Sequence, residues 1–293
     1  ARMPGSDVSV IIPACNEGHS IGMLVRKIRS LYPNYEVIVV NDGSTDDTAE
    51  VARDSGAIVY SHPYNVGNGA AVKSGIRIAS GEILVLMDGD GQHEPEGIAD
   101  MVELFPEYDM VVGARPAGQQ SSLLRGLGNR VLNWLASYVA KFSIQDLTSG
   151  FRAVKAEVAR TFLYLLPNTY SYPTSLTLGV LREGWCGKYL TIRAHARRKG
   201  KSQIRLLRDG AKFIMIVTKI CTLYSPLRIF LPVSFFTFLL GLGYYIYTFV
   251  SMGRFTNMSA LLLTTSVIIF MMGLVSEQIT QMRFEGNQKD RLN

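Results

Sequence analysis

Two carboxylates separated by one glycine, Asp88-Gly89-Asp90, end a short apolar run, Ile83-Leu84-Val85-Leu86-Met87. With Gln92 they offer oxygen ligands at alternate positions, and hard oxygen donors of this kind suit Mg2+ or Mn2+ held jointly with substrate phosphates. The chemistry implied is a metal-dependent group transfer. A solvated Asp-Gly turn is the plainer alternative. However, a run this continuously apolar reads as a strand buried on both faces, which carries its aspartates to the carboxyl edge where ligands of α/β sheets collect.

Two further polar clusters follow apolar runs in the same way: Pro13-Ala14-Cys15-Asn16-Glu17, and Asn41-Asp42-Gly43-Ser44-Thr45-Asp46-Asp47. Asp42 is suited to accept from a ribose hydroxyl or a base N–H, and equally to a turn before a helix N-cap; the two roles are compatible. Asn65-Val66-Gly67-Asn68-Gly69 contains Gly-x-Gly but continues Ala70-Ala71-Val72 without the third glycine of a dinucleotide fingerprint. It predicts a close turn into a helix and no nicotinamide.

The elements that must position these clusters alternate. Strands are predicted at Val8–Ile12, Glu36–Val40, Ala57–Ser61, Ile83–Met87 and Met110–Ala114, with helices at Ser20–Leu31, Asp46–Ser55, Ala70–Ala79 and from Pro95-Glu96 to about Leu104. That alternation gives an α/β class with a doubly wound, mostly parallel sheet. Beyond Arg115 the pattern changes. Residues 123–142 place Leu, Val, Trp and Tyr at helical spacing among Arg125, Arg130 and Lys141, an amphipathic helix suited to a membrane surface or to the core. Residues 206–223 form a second interfacial candidate.

The chain has 293 residues, 47% hydrophobic, with net charge +6, which excludes a disordered protein. Much of the excess is local: ten Lys and Arg residues between Arg193 and Arg228 face one acid, Asp209. Directly ahead of apolar segments, such a run favours anionic lipid head groups and phosphates over nucleic acid. No charge interrupts the chain between Arg228 and Arg254, or between Arg254 and Glu277. Each stretch exceeds the roughly 20 apolar residues a helix needs to span a bilayer, so two transmembrane helices are predicted, with a buried soluble hairpin as the alternative. Arg283, Lys289 and Arg291 after the hairpin and the basic run before it put both its ends on the cytoplasmic side. Cys15, Cys186 and Cys221 show neither metal-ligand spacing nor a disulfide framework, which fits a reducing cytoplasm. Ala1–Asp7 is short and polar, without a signal-peptide pattern.

Taken together, Val10-Ile11-Ile12-Pro13-Ala14-Cys15-Asn16-Glu17, Val40-Asn41-Asp42-Gly43-Ser44, Asn65-x-Gly67-x-Gly69 and Asp88-Gly-Asp90-Gly-Gln92-His93 resemble the family 2 glycosyltransferases of the GT-A fold. Asp146-Leu-Thr-Ser149-Gly150-Phe151-Arg152, and Arg197-x-x-Gly200-x-Ser202 ahead of two spans, narrow the resemblance. They are similar to those of the polyprenyl-phosphate glycosyltransferases, the group of dolichol-phosphate mannose synthases and their bacterial two-span relatives.

The resemblance implies a GT-A sheet followed by interfacial amphipathic helices and two transmembrane helices. Its segments would be a cytoplasmic catalytic domain at 1–205, an interfacial helix at 206–227, a hairpin at 228–280 and a cytoplasmic tail at 281–293. It implies transfer of a sugar, with inversion, from a UDP- or GDP-sugar to undecaprenyl or dolichyl phosphate; a homo-oligomer is allowed. Pro13, Ala14, Cys15, Glu17, Val40, Asp42 and Gly89 would line the donor site, with Asp88, Asp90 and Gln92 on the metal. Arg197 would clamp the diphosphate, with Gln203 nearby, and Arg115, Arg125, Asn129 and Ser202 would receive the lipid phosphate. Asn129 stands where the group usually has Ser, and Gln203 where it has Lys. Asp146 would orient the acceptor or an arginine, and a helix cap or core salt bridge accounts for it equally. Two rivals remain at this level: a polysaccharide synthase of the same fold, whose Gln-x-x-Arg-Trp motif is missing, and a non-catalytic nucleotide-sugar-binding membrane scaffold.

Overall fold

The computed structural model describes residues 7–91, 93–114, 137, 142–192 and 226–289. The chain falls into two compact units, 1–204 and 205–293.

In the first unit, apolar runs and periodic segments alternate as βα pairs. They are β1 (Val8–Ala14), α1 (Gly18–Leu31), β2 (Glu36–Asn41), α2 (Thr48–Asp54), β3 (Ile58–Ser61), α3 (Asn68–Ile78), β4 (Ile83–Leu86), α4 (Gly97–Val102) and β5 (Met110–Ala114). Beyond the predicted strands the structure adds β6 (Arg152–Lys155), α5 (Ala156–Thr161), α6 (Tyr172–Arg182) and β7 (Gly187–Thr191). The seven strands form one sheet in the order β3-β2-β1-β4-β6-β5-β7. β1, β2, β3 and β4 run parallel, as do β5 and β7, while β6 runs antiparallel to both β4 and β5. The strands flanking the switch in direction of winding, β1 and β4, are wholly or almost wholly buried, as expected where helices cover both faces.

One residue ends the β1–β4 ladder at that switch. The Met87 amide donates to the Ile11 carbonyl, the last rung between β4 and β1. The next rung on that side requires an amide at position 13, and Pro13 has none. β1 nevertheless continues two residues beyond its predicted end, to Ala14, because its other side stays paired with β2 as far as Asn41. The β1–β4 ladder therefore ends at Met87, and the residues after β4 lie unladdered beside the end of β1 at the place where open α/β sheets bind ligands.

The second unit contains α7 (Leu227–Met252) and α8 (Asn257–Lys289). Both are long and apolar enough to cross a membrane, α7 spanning about 39 Å. Most of their exposed side chains are apolar, Phe235, Phe236, Tyr247 and Val250 among them, an arrangement stable against hydrocarbon and costly in water. α8 does not end near 280 but continues through Lys289. The helices are tied by polar contacts: Ser234 Oγ donates to the Ser266 carbonyl at 2.8 Å, and Glu277 Oε2 accepts the Leu227 amide at 3.2 Å. The Leu227 amide, in the first turn of α7, has no acceptor one turn back along its own helix, so a carboxylate from the neighbouring helix caps it and complements the helix dipole. Glu277→Ala is expected to cost the hairpin about 1 kcal/mol, as loss of a cap does, and Glu277→Gln less. Reversible unfolding in detergent micelles checks this; equal stability of Glu277→Ala and wild type contradicts it.

Candidate active site

The β4–β6 register brings two distant motifs together. Leu86 pairs with Arg152 in an antiparallel ladder; extended by two residues, that register sets Asp88 against Gly150. A Cβ at position 150 would lie 2.3 Å from Asp88 Oδ2 and 2.9 Å from its Cγ. Glycine is therefore required here by the closeness of a carboxylate, not by a turn. Asp88 and Asp90 are both partly exposed, Gly89 is buried, and Gly89 lies close to the Pro13 carbonyl, just past the end of the β1–β4 ladder. His93, also buried, stacks on Phe151 with ring centroids 5.2 Å apart. The stretch after β4 is thus held from one side by residues 150 and 151.

From the other side it is held by the end of β1. Ser20 Oγ, in the first turn of α1, bonds Glu17 Oε2 at 3.0 Å and the Gly89 carbonyl at 3.1 Å. Asn16, with φ of 57°, donates its amide to Ser44 Oγ and accepts the Thr45 amide. The Glu17 amide donates to Thr48 Oγ1 at 2.9 Å. The ends of β1, β2 and β4 thus form one hydrogen-bonded rim.

Beneath Asp88 lies a fully buried arginine that sequence reading left without a role. Arg152 donates from Nη1 to the Pro173 carbonyl at 2.7 Å and to Thr177 Oγ1 at 3.0 Å, and from Nη2 to the Ser149 carbonyl. It fastens the Ser149-Gly150 backbone to the first turns of α6. Burial pushes its guanidinium down from its ordinary range, opposed by Tyr172, Tyr189, Asp146 and Asp88. Tyr172 is raised far above its ordinary value by burial first and then by Asp88, so its hydroxyl stays protonated as a neutral donor. Asp146, also buried, uses Oδ1 to accept the Thr148 amide at 3.1 Å and hydroxyl at 3.0 Å. That turn leads into Ser149-Gly150.

The other expected donor-site residues are placed as follows. Asp42 is buried, accepting the Val66 and Gly67 amides at 2.9 Å and meeting His62 Nδ1 at 2.7 Å. Those partners fill most of its roughly four lone-pair sites. Pro13, Ala14 and Val40 are buried, Val40 completely; Cys15 is partly exposed and accepts from Asn65 Nδ2 at 3.2 Å. Gln92, Arg115, Arg125, Asn129, Arg197, Ser202 and Gln203 lie outside the described residues, as do nearly all of the amphipathic stretch at 123–142 and the one at 206–223. The Gly67-x-Gly69 pair serves close approach: a Cβ on either would meet the carbonyls of Asn168 or Pro167 at 2.2 and 2.0 Å. The Gly69 amide donates to Asn168.

Among the described residues no three His, Cys, Asp or Glu side chains converge on a metal-sized point. Asp88 and Asp90 fit the open kind of site, in which Mg2+ or Mn2+ is bound by one or two carboxylates and completed by substrate phosphates.

Residues 9–163 match the model of the family "Glycosyl transferase family 2", and residues 225–282 that of the "GtrB C-terminal hairpin". The undecaprenyl-phosphate 4-deoxy-4-formamido-L-arabinose transferase of Yersinia pestis is 28% identical over 81% of this chain and 74% of its own. The putative glycosyltransferase CsbB of Bacillus subtilis is 25% identical over 96% of this chain and 89% of its own. Among solved structures, glucosyl-3-phosphoglycerate synthase of Mycobacterium tuberculosis in complex with Mn2+, UDP and phosphoglyceric acid superimposes with a TM-score of 0.60. That likeness is at 23% identity and covers 74% of this chain and 79% of that one, and it concerns the fold.

Gly150→Ala is expected to leave the sheet folded while displacing the Asp88 carboxylate. Mn2+ binding in the presence of pyrophosphate, followed by electron paramagnetic resonance, should weaken about ten-fold or more, the range seen when a ligand loses its supporting contact. In the control Gly97→Ala the added methyl meets only ordinary contacts, the first at 3.5 Å from Phe151, and affinity should hold. A folded Gly150→Ala protein with wild-type affinity contradicts the assignment.

Proposed function

This chain belongs to glycosyl transferase family 2, and from that premise we propose that it transfers a sugar from a UDP- or GDP-sugar to polyprenyl phosphate at a membrane surface. The observation that carries the reading is Asp88, held against Gly150 two residues from Asp90 at the carboxyl edge of the sheet, on a chain whose other unit is an apolar helical hairpin. The acceptor class is supported by the Yersinia pestis relative, named as an undecaprenyl-phosphate transferase. By the positive-inside rule the catalytic unit and both termini face the cytoplasm.

In the proposed reaction the bond between the anomeric carbon and the donor's diphosphate oxygen breaks, and a bond from that carbon to a lipid phosphate oxygen forms. Attack from the face opposite the leaving group inverts the anomeric centre. A phosphate monoester has a second pKa of about 6, so the nucleophile is already anionic at neutral pH and needs no dedicated general base. The protein's task is to hold two anions together and stabilise the charge on the departing diphosphate. Asp88 and Asp90, with Gln92, would hold Mg2+ or Mn2+, which when bound supplies that charge stabilisation. Arg197 and Gln203 would add contacts to the donor; Arg115, Arg125, Asn129 and Ser202 would receive the lipid phosphate. Asp146 acts on this reading through the turn that sets Ser149-Gly150, as a positioning residue.

Purified protein incubated with polyprenyl phosphate, Mg2+ or Mn2+ and a panel of UDP- and GDP-sugars should release nucleotide and yield a lipid-linked sugar. Asp90→Ala should lower that turnover by roughly two orders of magnitude or more, as removal of a major transition-state stabiliser does. Turnover retained in Asp90→Ala, or nucleotide release that does not depend on the lipid phosphate, contradicts the proposal.

A further inference from the structure

Tyr64 is 67% exposed, yet the backbone that carries it is tightly held. Gly43, with φ of 66° at the end of β2, lies directly beneath it: a Cβ there would be 2.3 Å from the Tyr64 carbonyl carbon and 2.5 Å from the Asn65 nitrogen. Asn65 reaches Cys15 Sγ at 3.2 Å, and the next two amides end on Asp42. Asp42 is fixed in turn. Its carboxylate can only accept, so His62 Nδ1 donates to it at 2.7 Å, while Nε2 pairs with the Ser74 hydroxyl of α3 at 2.9 Å. Tyr60 packs edge-on against the same imidazole. This partly buried carboxylate–imidazole–hydroxyl relay joins β2, β3 and α3 and does no chemistry in the reaction above.

We propose that Tyr64 is the stacking platform for the nucleobase of the donor, and that the Asp42–His62–Ser74 relay is the positioning device that holds it. The inference rests on the nucleotide-sugar reading and assigns which end of the rim takes which part of the donor. The amides of Val66 and Gly67, which a phosphate would seek, are consumed by Asp42. The Gly69 amide at the start of α3 is consumed by the Asn168 carbonyl. Lys73, the cation of that helix nearest the loop, is bound to the Leu166 carbonyl and Asn168 Oδ1. Among the described residues this end of the rim thus offers no free cation for a diphosphate, which belongs with Asp88 and Asp90. What it offers is an exposed aromatic ring on an immobilised backbone. A ring presents its face to any base, and one already held in place spares the ordering entropy that a loose loop would lose on binding.

The test uses the full-length protein with Mn2+ and three probes, UDP, GDP and inorganic pyrophosphate, titrated calorimetrically. Tyr64→Ala should weaken the nucleotide bound by wild type roughly five- to 150-fold, the range for loss of one stacked base, and leave pyrophosphate unchanged. Tyr64→Phe should restore nucleotide affinity. Ser74→Ala, at the far end of the relay, should raise the donor KM with kcat little changed, which a general loss of folded protein would not do. Wild-type nucleotide affinity in Tyr64→Ala, or an equal fall in pyrophosphate affinity, overturns the platform while leaving the proposed transfer standing. A wild-type protein that binds pyrophosphate but neither nucleotide overturns both.

Discussion

The antiparallel pairing of β6 with β4 is the constraint on which the site depends. Parallel strands feed their carboxyl ends to one edge, but none of them can bring its amino-terminal approach there; an antiparallel neighbour does. Because Leu86 is paired with Arg152, the residues leading into β6 arrive beside those leaving β4, and Asp88 meets Gly150. A register slip of one residue would invert the faces of a strand and put Phe151 where the glycine is needed. The chemistry of Asp88 is thus set by a segment sixty residues away in sequence.

Holding that segment requires an unusual core residue. A guanidinium removed from water carries a penalty of several kcal/mol unless its donors are met; the two terminal nitrogens of Arg152 meet the Pro173 and Ser149 carbonyls and the Thr177 hydroxyl, while its Nε has no partner among the described residues. Its charge faces Asp146 and Asp88. The arrangement explains two features at once: α6 begins against the sheet edge, and a pair of acids is tolerated there. Tyr172, kept neutral by burial and by Asp88, adds a hydroxyl without adding a third negative charge.

Much of this was legible in the sequence, and the parts that were not have physical reasons. β1, β2, β4 and β5 are continuous apolar runs, and their polar endings marked the rim because strand ends are where loops carry function. β6 and β7 were missed: Arg152-Ala-Val-Lys155 and Gly187-Lys-Tyr-Leu-Thr191 are short and carry charges that read as loop. Only the pairing partners reveal that Arg152 points into a core. The signal available was the Ser149-Gly150-Phe151-Arg152 motif, whose glycine announces a close approach without saying to what. Gly67 and Gly69 predict a close turn into a helix, and α3 does begin there; that they also admit the Pro167–Thr169 backbone is not legible locally, because that chain lies a hundred residues on. Asp42 was expected at the rim; that its carboxylate faces inward to two amides and an imidazole follows only from the loop returning over Gly43.

On the proposed reading the rim divides into an acidic end that manages charge and an aromatic end that reads a planar base, on a chain that also carries an apolar helical hairpin. On the same reading a divalent cation is shared between Asp88, Asp90 and the donor diphosphate. Shared occupancy makes cation and nucleotide binding reciprocal: each must raise the other's affinity by the same factor. Calorimetric titration of Mn2+ into the protein with and without saturating UDP or GDP, and the converse titration, measures both factors. Equal enhancements, on the order of ten-fold or more, are expected and should vanish in Asp88→Asn; cation and nucleotide affinities independent of one another rule out the shared cation.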